Sequence, residues 1–194
     1  MAAVMTNASD DFFTDDLLTE RKKPKKRKAD GKKKGNRVEL SLSKILNQRF
    51  GGGFSRSVGS GNRWGQVAHL PKHAQQVFSG DLIVPQGFKW ALESKGGYQD
   101  IDLNSVFVGG SKELDGFLEQ VTKDSERCGR KPMLCWKRDR KPWLAFVPTT
   151  ELEGHSFTYR LLYKAWSAVA LDELLKLPDL FFVEDIAKAN VFEK

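Results

Sequence analysis

Gly80-Asp81-Leu82-Ile83-Val84-Pro85-Gln86-Gly87-Phe88-Lys89-Trp90-Ala91-Leu92-Glu93-Ser94-Lys95 is the most informative segment of the chain. It reads as two apolar strands, Asp81 to Val84 and Trp90 to Glu93, joined by a turn at Pro85-Gln86-Gly87. An acid opens the first strand, and a Glu-x-Lys closes the second. The two-residue period of a strand puts Glu93 and Lys95 on one face. A turn of this length returns the chain so that Asp81 sits beside them. Taken alone, this pattern also fits a solvated hairpin with an ordinary Glu/Lys pair. The apolar flanks argue instead for buried strands, where a charge is costly unless it is paired or metal-bound. Two carboxylates and a backbone carbonyl make an all-oxygen site suited to magnesium, with manganese as a substitute. Such an ion lowers the pKa of a bound water and stabilises charge on a phosphate oxygen. Lys95 is placed to orient that water or to stabilise the transition state.

Outward from this segment, the order of elements predicts an α/β or α+β core with a mixed central sheet. Val38, Leu40, Leu42, Ile45 and Leu46 fit one face of a helix over Arg37–Phe50, which Gly51-Gly52-Gly53 stops. Phe54–Val58 reads as a short strand, and 62–79 reads as a loop. Leu114, Phe117, Leu118 and Val121 have helical spacing within 111–128. Met133–Trp136 and Trp143–Val147 read as strands around the charged turn Lys137–Lys141. The expected organisation is a disordered tail over 1–36, a core over 37–149, and an extension over 150–194. In that extension Phe157–Tyr163 and Trp166–Leu171 pair as a hairpin across Lys164-Ala165, and a short helix over Leu171–Leu177 ends at Pro178.

The net charge of +7 is unevenly spread over the 194 residues. Residues 1–20 carry five acids and no base, residues 21–37 carry eleven bases and one acid, and +2 remains for all that follows. The basic arm predicts salt-dependent, sequence-blind attraction to polyanions. Its run Lys22-Lys23-Pro24-Lys25-Lys26-Arg27-Lys28 also resembles a nuclear localisation signal. The acidic segment 10–20 holds Phe12, Phe13, Leu17 and Leu18 among its carboxylates. It reads as solvating sequence, or as a segment that docks on a protein partner or folds back over a DNA site. No apolar run reaches the roughly 18 residues of a membrane helix, and the polar start is unlike a secretory leader. Cys128 and Cys135 have no partners at zinc spacing and read as reduced thiols. A cytoplasmic location follows as the expectation.

Several ordered motifs together resemble archaeal-type Holliday junction resolvases of the PD-(D/E)xK nuclease superfamily. Gly35-Asn36-Arg37-Val38-Glu39 is similar to the opening of that family's first helix, and Phe54-Ser55-Arg56-Ser57-Val58-Gly59-Ser60-Gly61 to its strand and mobile loop. The acid strand, the Glu-x-Lys strand, the following helix and the strand pair come next in the same order, so the resemblance spans about residues 35–148. It implies a restriction-endonuclease-like core, with Glu39, Asp81 and Glu93 as metal ligands and Lys95 as the catalytic lysine. Arg56 and Ser57 would serve the scissile phosphate. It also implies a DNA substrate, a four-way junction cut by a homodimer with Mg2+, or Mn2+ in its place. The family's usual Pro before the acid is Gly80 here, the loop between Gly61 and Gly80 is long, and the tail and extension are additions. The general mix resembles phage-encoded relatives, which would place the protein in the cytoplasm of the host cell.

Other residues are weaker candidates. Arg37, Arg56, Arg63 and Lys72 suit phosphate contact, and Trp64 and Lys89 lie nearby. For the loop members, a solvated loop is the plain alternative. Lys137, Arg138 and Arg140, with Lys131, Lys141 and Trp143, form a basic cluster suited to gripping DNA, or simply a charged hairpin tip. His69 and His73 are loop histidines lacking an apparent third metal ligand. Gln99, Glu113 and Gln120 are candidate supports of the site, with no basis for choosing among them. The first expectation is a structure-selective endonuclease for branched DNA. A repair, nicking or restriction-like nuclease on the same core is the second. A non-catalytic DNA-binding module is the third, though it should have lost Asp81, Glu93 or Lys95.

Overall fold

The computed structural model describes residues 31–57, 80–98, 101, 108 and 110–184. Expectations for the tail up to residue 30, for the 58–79 loop with Arg63, Trp64, His69, Lys72 and His73, and for Gln99 lie outside the described residues.

Helix α1 spans Gly31–Phe50. It therefore starts six residues before Arg37, and the basic arm runs directly into the first helical turns. Leu42 and Leu46 are fully buried along it, while Leu40, expected on the same face, is half exposed. Gly51, Gly52 and Gly53 all take positive φ and end the helix, a conformation that only glycine adopts freely. The chain then enters β1 (Ser55–Arg56), which pairs antiparallel with β2 (Leu82–Ile83). The two strands expected around the 85–87 turn are thus split. β2 pairs with β1, while β3 (Trp90–Gly96) belongs to the main sheet.

After β3 comes α2 (Lys112–Cys128). Ser111 caps it by accepting the Leu114 N–H at 3.3 Å, and Gly129 closes it at φ 68°. β4 (Lys131–Lys137) runs parallel to β3, so α2 is the crossover of a β-α-β unit. β5 (Trp143–Pro148) returns antiparallel, and a 3-10 turn covers Thr149–Leu152. The expected hairpin is present as β6 (Leu161–Tyr163) and β7 (Trp166–Ala170), with Tyr163 opposite Trp166. The sheet order is β3-β4-β5-β7-β6, five strands of mixed direction. Two short helices end the described chain, α3 (Leu171–Leu174) and α4 (Asp179–Phe182).

Helices cover both faces of the sheet. On one side α1, α3 and α4 close a core of Leu42, Leu46, Leu92, Met133, Val147, Leu174 and Phe182. On the other, α2 lays Leu114, Leu118 and Val121 over Leu134, Trp136 and Phe146. Cys128 and Cys135 are both free and buried, and burial pushes the Cys135 thiol up to about 12. No described helix is long and apolar enough to cross a membrane.

The structure draws no line at residue 149. β7 bonds to β5 over Leu144–Pro148, and Leu171, Leu174 and Phe182 sit in the main core. Removing residues 150–194 strips β5 of a neighbour and opens that core. The truncated chain is expected to lose its cooperative thermal transition by circular dichroism. A cooperative melt near that of the full chain would show the extension to be separable.

Candidate active site

Three neighbouring constraints build the site. The first is Gly80, which has φ 83°, and a Cβ there would stand 2.6 Å from the Leu92 carbonyl oxygen. A proline, held near φ −65°, cannot take this conformation, which is the physical reason for the glycine where the resembled family has proline. The tight approach lets the Asp81 N–H donate to the Leu92 carbonyl at 3.0 Å and Asp81 Oδ2 accept the Ser94 N–H at 2.8 Å. Asp81 is thereby clamped to β3 without sharing its ladder. The second is Gly96, where a Cβ would lie 2.4 Å from Val38 Cγ2. Its absence lets α1 settle on the end of β3 and brings in Glu39, the residue after Val38. The third is α2, which lies across the face of β3 that carries Glu93 and Lys95.

Glu93 is 2% exposed, and its Oε1 accepts Lys95 Nζ at 2.5 Å and Gln120 Nε2 at 2.7 Å. The period-two expectation for Glu93 and Lys95 is realised in this contact. Burial is the main cause that pushes Asp81 up to about 6, with the Glu39 charge adding to it and the Ser94 N–H opposing it. Burial, then the Asp81 charge, pushes Glu93 up to about 8, against the pull of Lys95. Burial alone would lower Lys95, but the charge and hydrogen bond of Glu93, with Asp81 behind them, hold its ammonium above the usual range.

Glu39 is buried, and its Oε2 accepts Arg56 Nε at 2.6 Å. Ser57 is buried as well, and its N–H donates to the Asp81 carbonyl at 2.9 Å. The structure thus gathers Asp81, Glu93 and Lys95 directly, with the Glu39–Arg56 pair alongside. Of the undecided supports, Gln120 touches the site, whereas Glu113 accepts a hydrogen bond from Ser111 Oγ at the start of α2. Asp124 was not anticipated. It is one turn beyond Gln120, its charge raises Asp81 and Glu93, and burial raises Asp124 itself against the pull of Arg127 and Lys95. The i, i+4 spacing from Gln120 was the available signal.

The basic candidates are spread more widely. Arg37 is exposed on α1. Lys137 Nζ donates to the Lys141 carbonyl and lies 6.0 Å from the Trp143 ring centroid. The Arg138 guanidinium lies 5.7 Å from the Trp136 ring centroid, and Arg140 takes φ 59° in the β4–β5 turn.

Among the described residues, no three His, Cys, Asp or Glu side chains are gathered closely enough to hold a metal ion. Magnesium does not require such a cage, being held typically by one or two carboxylates and retained waters. The pair Asp81 and Glu93, all oxygen and both raised mainly by burial, fits that ion.

Two outcomes follow. Gly80→Ala forces the Leu92 carbonyl away and strains φ, so the thermal midpoint is expected to fall by an amount equivalent to about 1–3 kcal/mol. Asp81→Asn acts in the opposite direction. Because the folded pKa of Asp81 lies above the unfolded one, its stabilising proton is fully held below about pH 4 and lost as pH rises through about 6. In EDTA, Asp81→Asn is therefore expected to melt higher than wild type at pH 8, by the equivalent of roughly 1–3 kcal/mol, and equally at pH 4. Equal melting at both values would show that Asp81 carries no such burden.

A family model described as "Phage putative PDDEXK endonuclease" matches residues 30–176. Protein D14 of Escherichia phage T5 is 30% identical over 127 residues, covering 63% of this chain and 73% of D14. Among solved structures, Hjc of Archaeoglobus fulgidus, a Holliday junction resolvase from an archaeal hyperthermophile, aligns over 81% of this chain and 99% of its own at 19% identity. With a TM-score of 0.34, that alignment decides nothing about substrate. The family match covers helix α1, the acid clamp, the Glu-x-Lys strand and the sheet through β7, and the chain belongs to the phage PDDEXK endonucleases.

Proposed function

We propose that this endonuclease is structure-selective, hydrolysing phosphodiester bonds in branched DNA, with the four-way junction as its substrate. The observation that carries the hydrolytic reading is the clustered Asp81–Glu93–Lys95 set, Glu93 buried and the other two partly so, with two carboxylates raised by burial and one ammonium held protonated.

In this reading Asp81 and Glu93 hold Mg2+, with Mn2+ able to replace it, and Glu39 stands by as a third carboxylate. The bound ion supplies a more acidic water and neutralises charge on a phosphate oxygen. Lys95 keeps its proton at Nζ and donates toward the charge that develops on the phosphate. Arg56 and Ser57 position the scissile phosphate. Arg37, Arg63, Lys72, Lys137, Arg138 and Arg140 contact the flanking backbone, where they add salt-dependent affinity and no sequence preference. Paired cuts across a symmetric junction need two such sites, which a two-fold homodimer supplies. The acidic segment 10–20 is left for a protein partner.

The test uses labelled four-way junctions, matched linear duplex and single strands, with magnesium or EDTA, and Glu93→Ala in parallel. Paired nicks confined to the junction are expected, abolished by EDTA and reduced roughly a thousandfold in the variant, because several kcal/mol of charge stabilisation are lost. Equal cutting of linear duplex would overturn the junction preference and leave a repair or restriction-like nuclease. Binding without cleavage in either metal would sink the catalytic reading.

A further inference from the structure

We propose that Gln120 is a positioning residue for the nuclease reaction, fixing Lys95 and Glu93 relative to each other through a neutral, two-sided bridge. This rests on the nuclease reading of the Asp81–Glu93–Lys95 site. Three contacts close a ring. Lys95 Nζ donates to Glu93 Oε1 at 2.5 Å and to Gln120 Oε1 at 2.9 Å, and Gln120 Nε2 donates to Glu93 Oε1 at 2.7 Å. The amide orientation is determined by Lys95, since the ammonium only donates and must therefore face Gln120 Oε1.

The ring restricts a side chain that is otherwise mobile. A lysine carries about 2 kcal/mol of rotamer entropy and three donors at its tip. Glu93 and Gln120 take two of those donors, so the direction of the third is set by the fold. Phe117, one turn before Gln120 on α2, adds its ring centroid 5.2 Å from Lys95 Nζ. A glutamine suits this place because it is uncharged. A carboxylate would add repulsion to Asp81 and Glu93, and a base would compete with Lys95 for Glu93.

Gln120 is exposed, whereas Glu93 beneath it is buried. An exposed position contributes little to stability, so the bridge is separable from folding. Gln120→Met keeps the length and loses both hydrogen bonds. Gln120→Glu keeps an acceptor for Lys95 and replaces the donor to Glu93 with a charge.

The experiment uses the full chain and whichever DNA the wild type cleaves. Gln120→Met is expected to lower kcat about 10–100-fold, the usual cost of losing a group that orients a metal-site residue, with KM for DNA within about threefold and an unchanged thermal midpoint. Gln120→Glu is expected to lose at least as much. In metal-free protein, acylation of Lys95 by acetic anhydride, read by mass spectrometry, is expected to speed up several-fold in Gln120→Met. A wild-type kcat in either variant, a loss confined to KM, or an unchanged Lys95 acylation rate would overturn the bridge. If the wild type cleaves no DNA, the nuclease reading fails, and the acylation rate still decides whether Gln120 restrains Lys95.

Discussion

Two carboxylates and one ammonium meet at the end of a sheet, with Glu93 buried and Asp81 and Lys95 partly so, and much of the molecule serves to keep them there. Removing Asp81 and Glu93 from water raises both pKa values, and the Asp81 charge makes Glu93 harder still to ionise. Lys95 answers one of the two charges. The negative charge left over when both carboxylates ionise is what a small divalent cation relieves. It is also a standing cost to the metal-free fold, of the kind that persists only when surrounding structure over-determines it.

That surrounding structure is local and rigid. Asp81 is not part of the main sheet, yet two hydrogen bonds to the β3 backbone hold it against the strand that carries Glu93 and Lys95. The close approach depends on a residue without a side chain at position 80 and on its left-handed backbone. β1 and β2 form a small clasp outside the five-stranded sheet, and the Ser57 N–H fastens that clasp to the Asp81 carbonyl. Arg56 on the clasp then meets Glu39 on α1, so the neighbouring ion pair joins two elements that the sheet itself does not connect.

The helices on the two faces play different parts. α1 is drawn onto β3 at Gly96 and delivers a carboxylate. α2, the crossover between parallel strands, buries Leu114, Leu118 and Val121 and turns Phe117 and Gln120 toward Lys95. The same crossover that makes the β3–β4 pair parallel thus roofs the site. Placing chemistry on such elements holds side chains more precisely than a loop would.

Much of this was legible in the residues alone. Strand period two made Glu93 and Lys95 neighbours, because alternation is a property of the extended backbone and needs no tertiary context. Apolar spacing marked α2 and the hairpin at Lys164-Ala165, and the glycine run marked the end of α1. Other features had no local signal. The pairing of β2 with β1, the joining of β7 to β5, and the choice of Gln120 over Glu113 all depend on contacts between segments far apart in sequence. The start of α1 at Gly31 was hidden as well, because a lysine-rich stretch has no apolar period to read. Sequence by itself determined the spacing that makes Glu93 and Lys95 neighbours along a strand. Tertiary structure alone decided how deeply they are buried, which partners hold them and how far their charges are perturbed, because desolvation and Coulomb interaction act through space and not along the chain.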